Sequence, residues 1–298
     1  MLVKHISARG VRFLLVAVAA AAVGPVWMVV HAADDVRPRQ DPAVLALVHT
    51  VGTNEFEALK SRNAIALGGN GPRYFYYETE RSQHTGQHLW AQAVVETTAG
   101  PLERLLAIDG KPLDERAQRA EDARVNDLAA HPEKIKAQQT AKMADRKRAE
   151  SLFTTPPELF EFTRESAPEG TIAVAFAPNP TYVPQTYVQR VLHVMTGVVD
   201  VDARTMRLRE LDARISQQVQ FGWGLLGTVE QGGTLRMVRQ PVGSGEWRLV
   251  GLDIKVQGRM LLFKSMDMDE HLQRRDFIEL PAEETMQEDV RRVMAAKL

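Results

Sequence analysis

His84 and His88 stand four residues apart, the spacing at which two imidazoles on one helix face can share a metal ion. Here they flank Gln83 to Gln87, a run containing Gly86 between two alternating segments. The pair therefore borders a hairpin turn, with no H-E-x-x-H frame and no third ligand. His49, His131, His193 and His271 are isolated and read as surface or satisfied core residues. Gly243-Ser244-Gly245 is not the G-x-S-x-G of a nucleophile elbow and reads as a turn between strands. No helix is expected after Gly68-Gly69-Asn70-Gly71, so it is a loop and not a phosphate cradle. The carboxylate pairs Asp34-Asp35, Asp267-Asp269 and Glu283-Glu284 sit in polar or turn contexts and read as solvated charge. The chain has no cysteine, which excludes a disulfide framework, a thiolate zinc site, an iron–sulfur cluster and a thiol nucleophile. With 37 basic against 38 acidic residues, it has no electrostatic footprint for nucleic acid. No catalytic residue, metal or cofactor is expected.

Large apolar side chains at every second position remain. Phe75 and Tyr77 share one strand face, as do Phe160 and Phe162, Val174 and Phe176, Val219, Phe221, Trp223 and Leu225, and Leu261 and Phe263. A large antiparallel sheet either fills such a face with helices and side chains or leaves an apolar pocket for a ligand. If it is a pocket, its lining comes from Phe75, Tyr77, Trp90, Phe162, Phe176, Phe221, Trp223 and Phe263.

The elements that must position these residues can be read along the chain. Asp41-Pro42 is a helix start, followed by Val44, Leu47, Val48 and Val51 at helical spacing; Thr53 would cap a second short helix through Leu59. From Arg73 the period changes to two. Strands are expected over 74–81, 89–97 and 102–108, a meander ending in the Asp109-Gly110 turn. Residues 113–151 are rich in Ala, Gln, Glu, Lys and Arg and lack Gly; they read as a charged helical insertion interrupted at His131-Pro132. Its apolar positions are sparse (Val125, Leu128, Ile135, Met143, Leu152), consistent with a solvated helical hairpin or a lid. Strands resume at 160–163 and 172–176, then at 191–202 and 206–215 around Asp202-Ala203-Arg204-Thr205. Four more follow over 218–227, 234–241, 247–257 and 259–266, and a helix with Met286, Val290 and Val293 on one face closes the chain over 281–298. The fold class is therefore α+β, mainly antiparallel β, with a sheet large enough that it must curl or close. One domain is expected over 44–280.

Lys4, Arg9 and Arg12 precede an apolar run from Phe13 to Val30, and Val30-His31-Ala32 offers small residues before Asp34-Asp35. This is the pattern of a secretory signal peptide over 1–32 cleaved after Ala32, leaving a polar tether over 33–43. A retained membrane anchor is the alternative. Three of the basic residues and no acidic ones lie in 1–32, so cleavage leaves a net charge of -4. The expected location is the periplasm or the exterior.

The stretch Gly197-Val198-Val199-Asp200-Val201-Asp202-Ala203-Arg204-Thr205-Met206-Arg207-Leu208 resembles the strand–turn–strand of bacterial periplasmic lipoprotein carriers and outer-membrane lipoprotein-sorting proteins. Further stretches resemble an uncharacterised family of exported bacterial proteins: 104–113, Phe176-Ala177-Pro178-Asn179-Pro180, 221–227 and Leu262-Phe263-Lys264. The carrier resemblance implies a curved, incomplete β-barrel whose mouth is lidded by helices and which shields acyl chains without catalysis. It implies lipid or lipoprotein acyl chains as partners. The other functional expectations are a non-catalytic cell-envelope module that docks a protein partner through the charged helices, and a hydrolase whose acid/base pair the sequence does not display.

Overall fold

The computed structural model describes residues 40–66, 71–140, 157–221, 226–260, 264–265 and 267–298. The signal segment, Met143, Leu152, Trp223 and Phe263 lie outside the described residues. Helix α1 spans Pro42–Ala66, followed by β1 (Tyr74–Arg81), β2 (Trp90–Thr97), β3 (Gly100–Ile108) and the two-residue β4 (Lys111–Pro112). Helix α2 is Glu115–Ala130, and α3 covers 132–140. Then come β5 (Phe160–Glu165), β6 (Thr171–Pro178), α4 (Tyr187–Leu192), β7 (Met195–Asp202) and β8 (Arg207–Ile215). Strands β9 (Val219–Phe221), β10 (Gly227–Val229), β11 (Thr234–Val242) and β12 (Glu246–Val256) follow. The last elements are β13 (Gly258–Met260), β14 (Lys264–Ser265), β15 (Met268–Glu279) and α5 (Met286–Ala295). The large sheet has the order β4-β3-β2-β1-β15-β12-β11-β8-β7-β6-β5, and a small one the order β14-β13-β10-β9. The end strands β4 and β5 do not pair, so the large sheet is not closed into a barrel.

Three expectations about elements are corrected. Residues 42–66 form one helix and not two, because Gly52 is buried between Val51 and Glu55; tertiary contacts there offset the roughly 1 kcal/mol that glycine costs a helix. The strand expected from Val191 begins at Met195, since Thr186 and Gln189 form a capping box that starts α4 instead. Residues 267–280 were expected to be solvated, yet β15 is a twelve-residue strand there.

The chain divides into two compact units. The first is drawn from Met1–Glu57, Ala144–Leu235 and Lys255–Met268, the second from Ala58–Met143, Arg236–Ile254 and Asp269–Leu298.

In the first unit β5, β6, β7 and β8 run antiparallel in sequence order. The register aligns Phe162 with Phe176, Val174 with Val199 and Ile172 with Val201, so the large apolar groups share a face. Gly197 sits opposite Phe176 because a side chain there would not fit. A Cβ would lie 2.1 Å from the Asp212 carbonyl oxygen and 2.9 Å from the Phe176 ring.

In the second unit β3-β2-β1-β15 run antiparallel. One face carries Phe75, Ala93, Val95 and Leu102, and α2, α3 and α5 cover it with Val125, Leu128, Ile135 and Val293. The insertion is thus a packed layer on this face, with Val125 and Ile135 almost wholly removed from water. Gly100, at φ +125°, permits the close approach of α3: a Cβ would stand 2.5 Å from Gln139 Cγ.

Candidate functional site

The apolar face of the first unit lies beneath the N-terminal half of α1. Val44, Leu47, Val48 and Val51 fall at helical spacing and pack on Phe162, Ile172, Val174, Val199 and Val201. Polar bonds hold the helix on either side of this stripe. Ahead of it, the Gln40 side-chain amide donates to the Phe160 carbonyl at 2.7 Å. Beyond it, the Asn54 amide donates to the Met206 carbonyl at 3.1 Å. Glu55 Oε1 accepts from Arg207 Nε at 2.8 Å and from the Leu208 backbone N–H at 3.1 Å. At the β5 edge, Phe160 meets Phe176 and Phe162 edge-on, with centroids 5.2 and 6.1 Å apart. Phe162 and Val199 are only half-buried beside the helix. Chemically this is an aliphatic and aromatic platform under a polar-pinned strap, able to bind hydrocarbon and without a group that could transfer a proton or attack a bond.

The second unit presents a different face. Tyr74, Tyr76, Glu78 and Glu80 point away from Phe75 and Tyr77, and Trp90, Gln92 and Val94 lie opposite them on β2. Arg248 binds Glu96 through two nitrogens at 2.9 and 3.0 Å and lies over the Tyr74 ring at 4.6 Å. Burial raises the Glu96 pKa, while the Arg248 cation pulls against it. Arg274 Nε donates to Glu78 Oε2 at 2.7 Å and its guanidinium covers Tyr76, which stacks on Phe277 at 4.8 Å. Burial pushes the Tyr76 hydroxyl well above its ordinary range, with Arg274 opposing. A β-bulge at Asp276, φ 57°, supplies the extra residue that lets Arg274 and Phe277 address the same ring. Beside the bulge lies an open depression of about 490 Å³, lined by Gln240, Val242, Gln273, Arg274, Asp276 and Phe277 among others.

These carboxylates are bound by arginines, and no base or nucleophile stands beside them with an unbound substrate position. Among the described residues, no group of three or more His, Cys, Asp or Glu gathers to hold a metal ion. His84 instead packs edge-on against Trp90 at 5.6 Å, and His88 Nδ1 lies 2.7 Å from Asp109 Oδ2.

The eight aromatic residues singled out from alternation do not converge. Phe162 and Phe176 belong to the platform of the first unit. Phe221 meets Tyr187 edge-on at 5.1 Å, also in the first unit. Phe75 and Tyr77 touch at 5.3 Å within the helix-covered core of the second unit, and Trp90 lies on that sheet's other face. Trp223 and Phe263 lie outside the described residues. Sequence reasoning missed the α1 stripe as part of a site and the Arg–carboxylate face altogether. The signal for the latter was present as Tyr74, Tyr76 and Glu78 at period two, but the partners lie up to 196 residues away in the chain.

No family model, no curated protein and no solved structure matches this chain.

Proposed function

We propose that this protein is a non-enzymatic carrier or binding protein of the bacterial cell envelope. It holds a lipid, or the acyl chains of a lipoprotein, against the apolar face formed by β5, β6 and β7. The observation that carries the reading is α1 itself: four aliphatic side chains lie on that face between polar attachments, where an acyl chain would lie. Helix α1 acts as a strap that yields to cargo. A curved, incomplete barrel with a helical lid is the geometry this reading requires. Each methylene moved from water to such a wall contributes about 0.8 kcal/mol, so half a fatty chain contributes several. Export through the leader, with cleavage after Ala32, would place the protein in the periplasm.

The test is native mass spectrometry and lipid extraction of protein purified after export, together with titration of a fluorescent fatty-acid probe. Bound lipid should copurify, and Val199→Glu, which places a charge on the half-buried wall, should weaken the probe at least tenfold. If nothing copurifies and the probe does not bind, the carrier reading fails.

A second reading is favoured by the fixed placement of α2 and α3, whose Val125, Leu128 and Ile135 anchor them while Arg116, Arg119 and Glu133 stay in water. In that case the helices dock an envelope protein, and deleting 113–151 would abolish its capture while lipid remained absent throughout.

A further inference from the structure

One end of the first unit carries large apolar side chains in water. Val183 is 71% exposed, Tyr187 59% and Leu226 48%. They are neighbours by construction. Tyr187 starts α4 and meets Phe221, the last residue of β9; Leu226 follows across the hairpin tip and bonds its N–H to the Phe221 carbonyl at 3.1 Å. Val183 lies on the crossover that leaves β6 after Pro178, and Arg190 extends over the Tyr187 ring at 5.9 Å. A tyrosine, aliphatic residues and an arginine on one rim match the chemistry of a bilayer interface, where an aromatic ring sits at headgroup level and a guanidinium meets phosphate.

The entry point of the chain lies at this same end. Gln40 bonds to the carbonyl of Phe160, the first residue of β5, and Phe160 pairs with Pro178, the last residue of β6. The apolar run Phe13–Val30 precedes Gln40 by only residues 31–39. Nine residues span at most about 30 Å when fully extended. Whenever that run is in a membrane, it is therefore the Val183–Tyr187–Leu226 end that is held toward the lipid.

We propose that this rim is a phospholipid-docking surface, which seats the first unit on a bilayer through Val183, Tyr187 and Leu226 with Arg190 at the headgroups. The contact is peripheral; among the described residues no helix is long and apolar enough to cross a membrane. The inference is separate from acyl-chain binding on the sheet face and does not depend on it.

The absence of cysteine makes the experiment direct, since one introduced thiol is unique. The full chain, as recovered after export, is labelled with an environment-sensitive fluorophore at Val183→Cys or, as control, at Glu169→Cys. Glu169 is exposed in the β5–β6 turn, at the other end of those strands. Vesicles of three parts phosphatidylcholine to one part phosphatidylglycerol should blue-shift and brighten the label at 183 and leave the label at 169 unchanged. In the 183-labelled background, Tyr187→Asp with Leu226→Asp should lower vesicle partitioning about tenfold or more. Both positions are exposed, and an unchanged circular dichroism melt confirms that the variant folds. No shift at 183, equal shifts at both labels, or unaltered partitioning of the double variant overturns the proposal. Fluorescent fatty-acid titration of the same proteins reads the carrier function independently.

Discussion

The two units place charge on opposite sides of the same packing problem. In the first, the buried side of the strands is aliphatic and aromatic, and its charged residues Asp200, Glu210 and Arg214 are only half-buried or exposed on the other side. In the second, the helix-covered face is equally apolar, but the reverse face also leaves water and takes Glu78, Glu96, Arg248 and Arg274 with it. A sheet wet on one side needs only alternation. A sheet dry on both needs a partner for every polar group it removes from solvent, because an unpaired buried charge costs several kcal/mol. The first unit can therefore lend its apolar face to a ligand, whereas the second is occupied by its own ion pairs.

This contrast can be broken experimentally, and the largest effect belongs to the second unit. Glu96→Ala strands Arg248 beneath Tyr74 and should cost about 3–5 kcal/mol, read as a large drop in Tm, while Glu96→Gln recovers part of it. In the first unit Leu211→Ala, at a position 1% exposed, should cost about 2–5 kcal/mol by cavity formation alone. Gly197→Ala should cost about 1–3 kcal/mol, because the new methyl meets the Asp212 carbonyl and the Phe176 ring.

A pH effect should be confined to the second unit. Asp289 on α5 is buried against Arg73 Nη1 at 2.9 Å, and burial pushes its pKa up to about 6. The folded state then binds this proton more tightly than the unfolded chain, so its contribution is present in acid and is lost as pH rises through about 6. Denaturant melts from pH 5 to 7 should show this loss, and Asp289→Asn should flatten it. The smallest effect is expected at Arg119–Glu115, an exposed helical pair at 3.3 Å; Arg119→Ala should leave Tm unchanged within error.

Legibility followed the same division. Strands β1, β2, β6 and β8 are visible from period-two alternation, and the insertion's break at His131-Pro132 separates α2 from α3. Strand β15 was not visible. Met268–Glu279 carries His271, Arg274, Arg275 and Asp276, and looks solvated until Glu78, Tyr76 and Tyr77 are brought beside the arginines. The stripe Val44, Leu47, Val48 and Val51 was legible as a buried helix face, but not the strand surface it would cover.

The sequence by itself determined the period of each element, the places where chains of strands must turn, and the apolar residues that would seek burial. These depend on local geometry and on side-chain chemistry, both carried within a few residues. Tertiary structure alone decided that Phe75 and Tyr77 lie under helices while Phe162 and Phe176 lie beside a strap, and that arginines near the C-terminus neutralise carboxylates near the start of the sheet. Those outcomes depend on strand order and register between segments up to 196 residues apart, which no local pattern encodes.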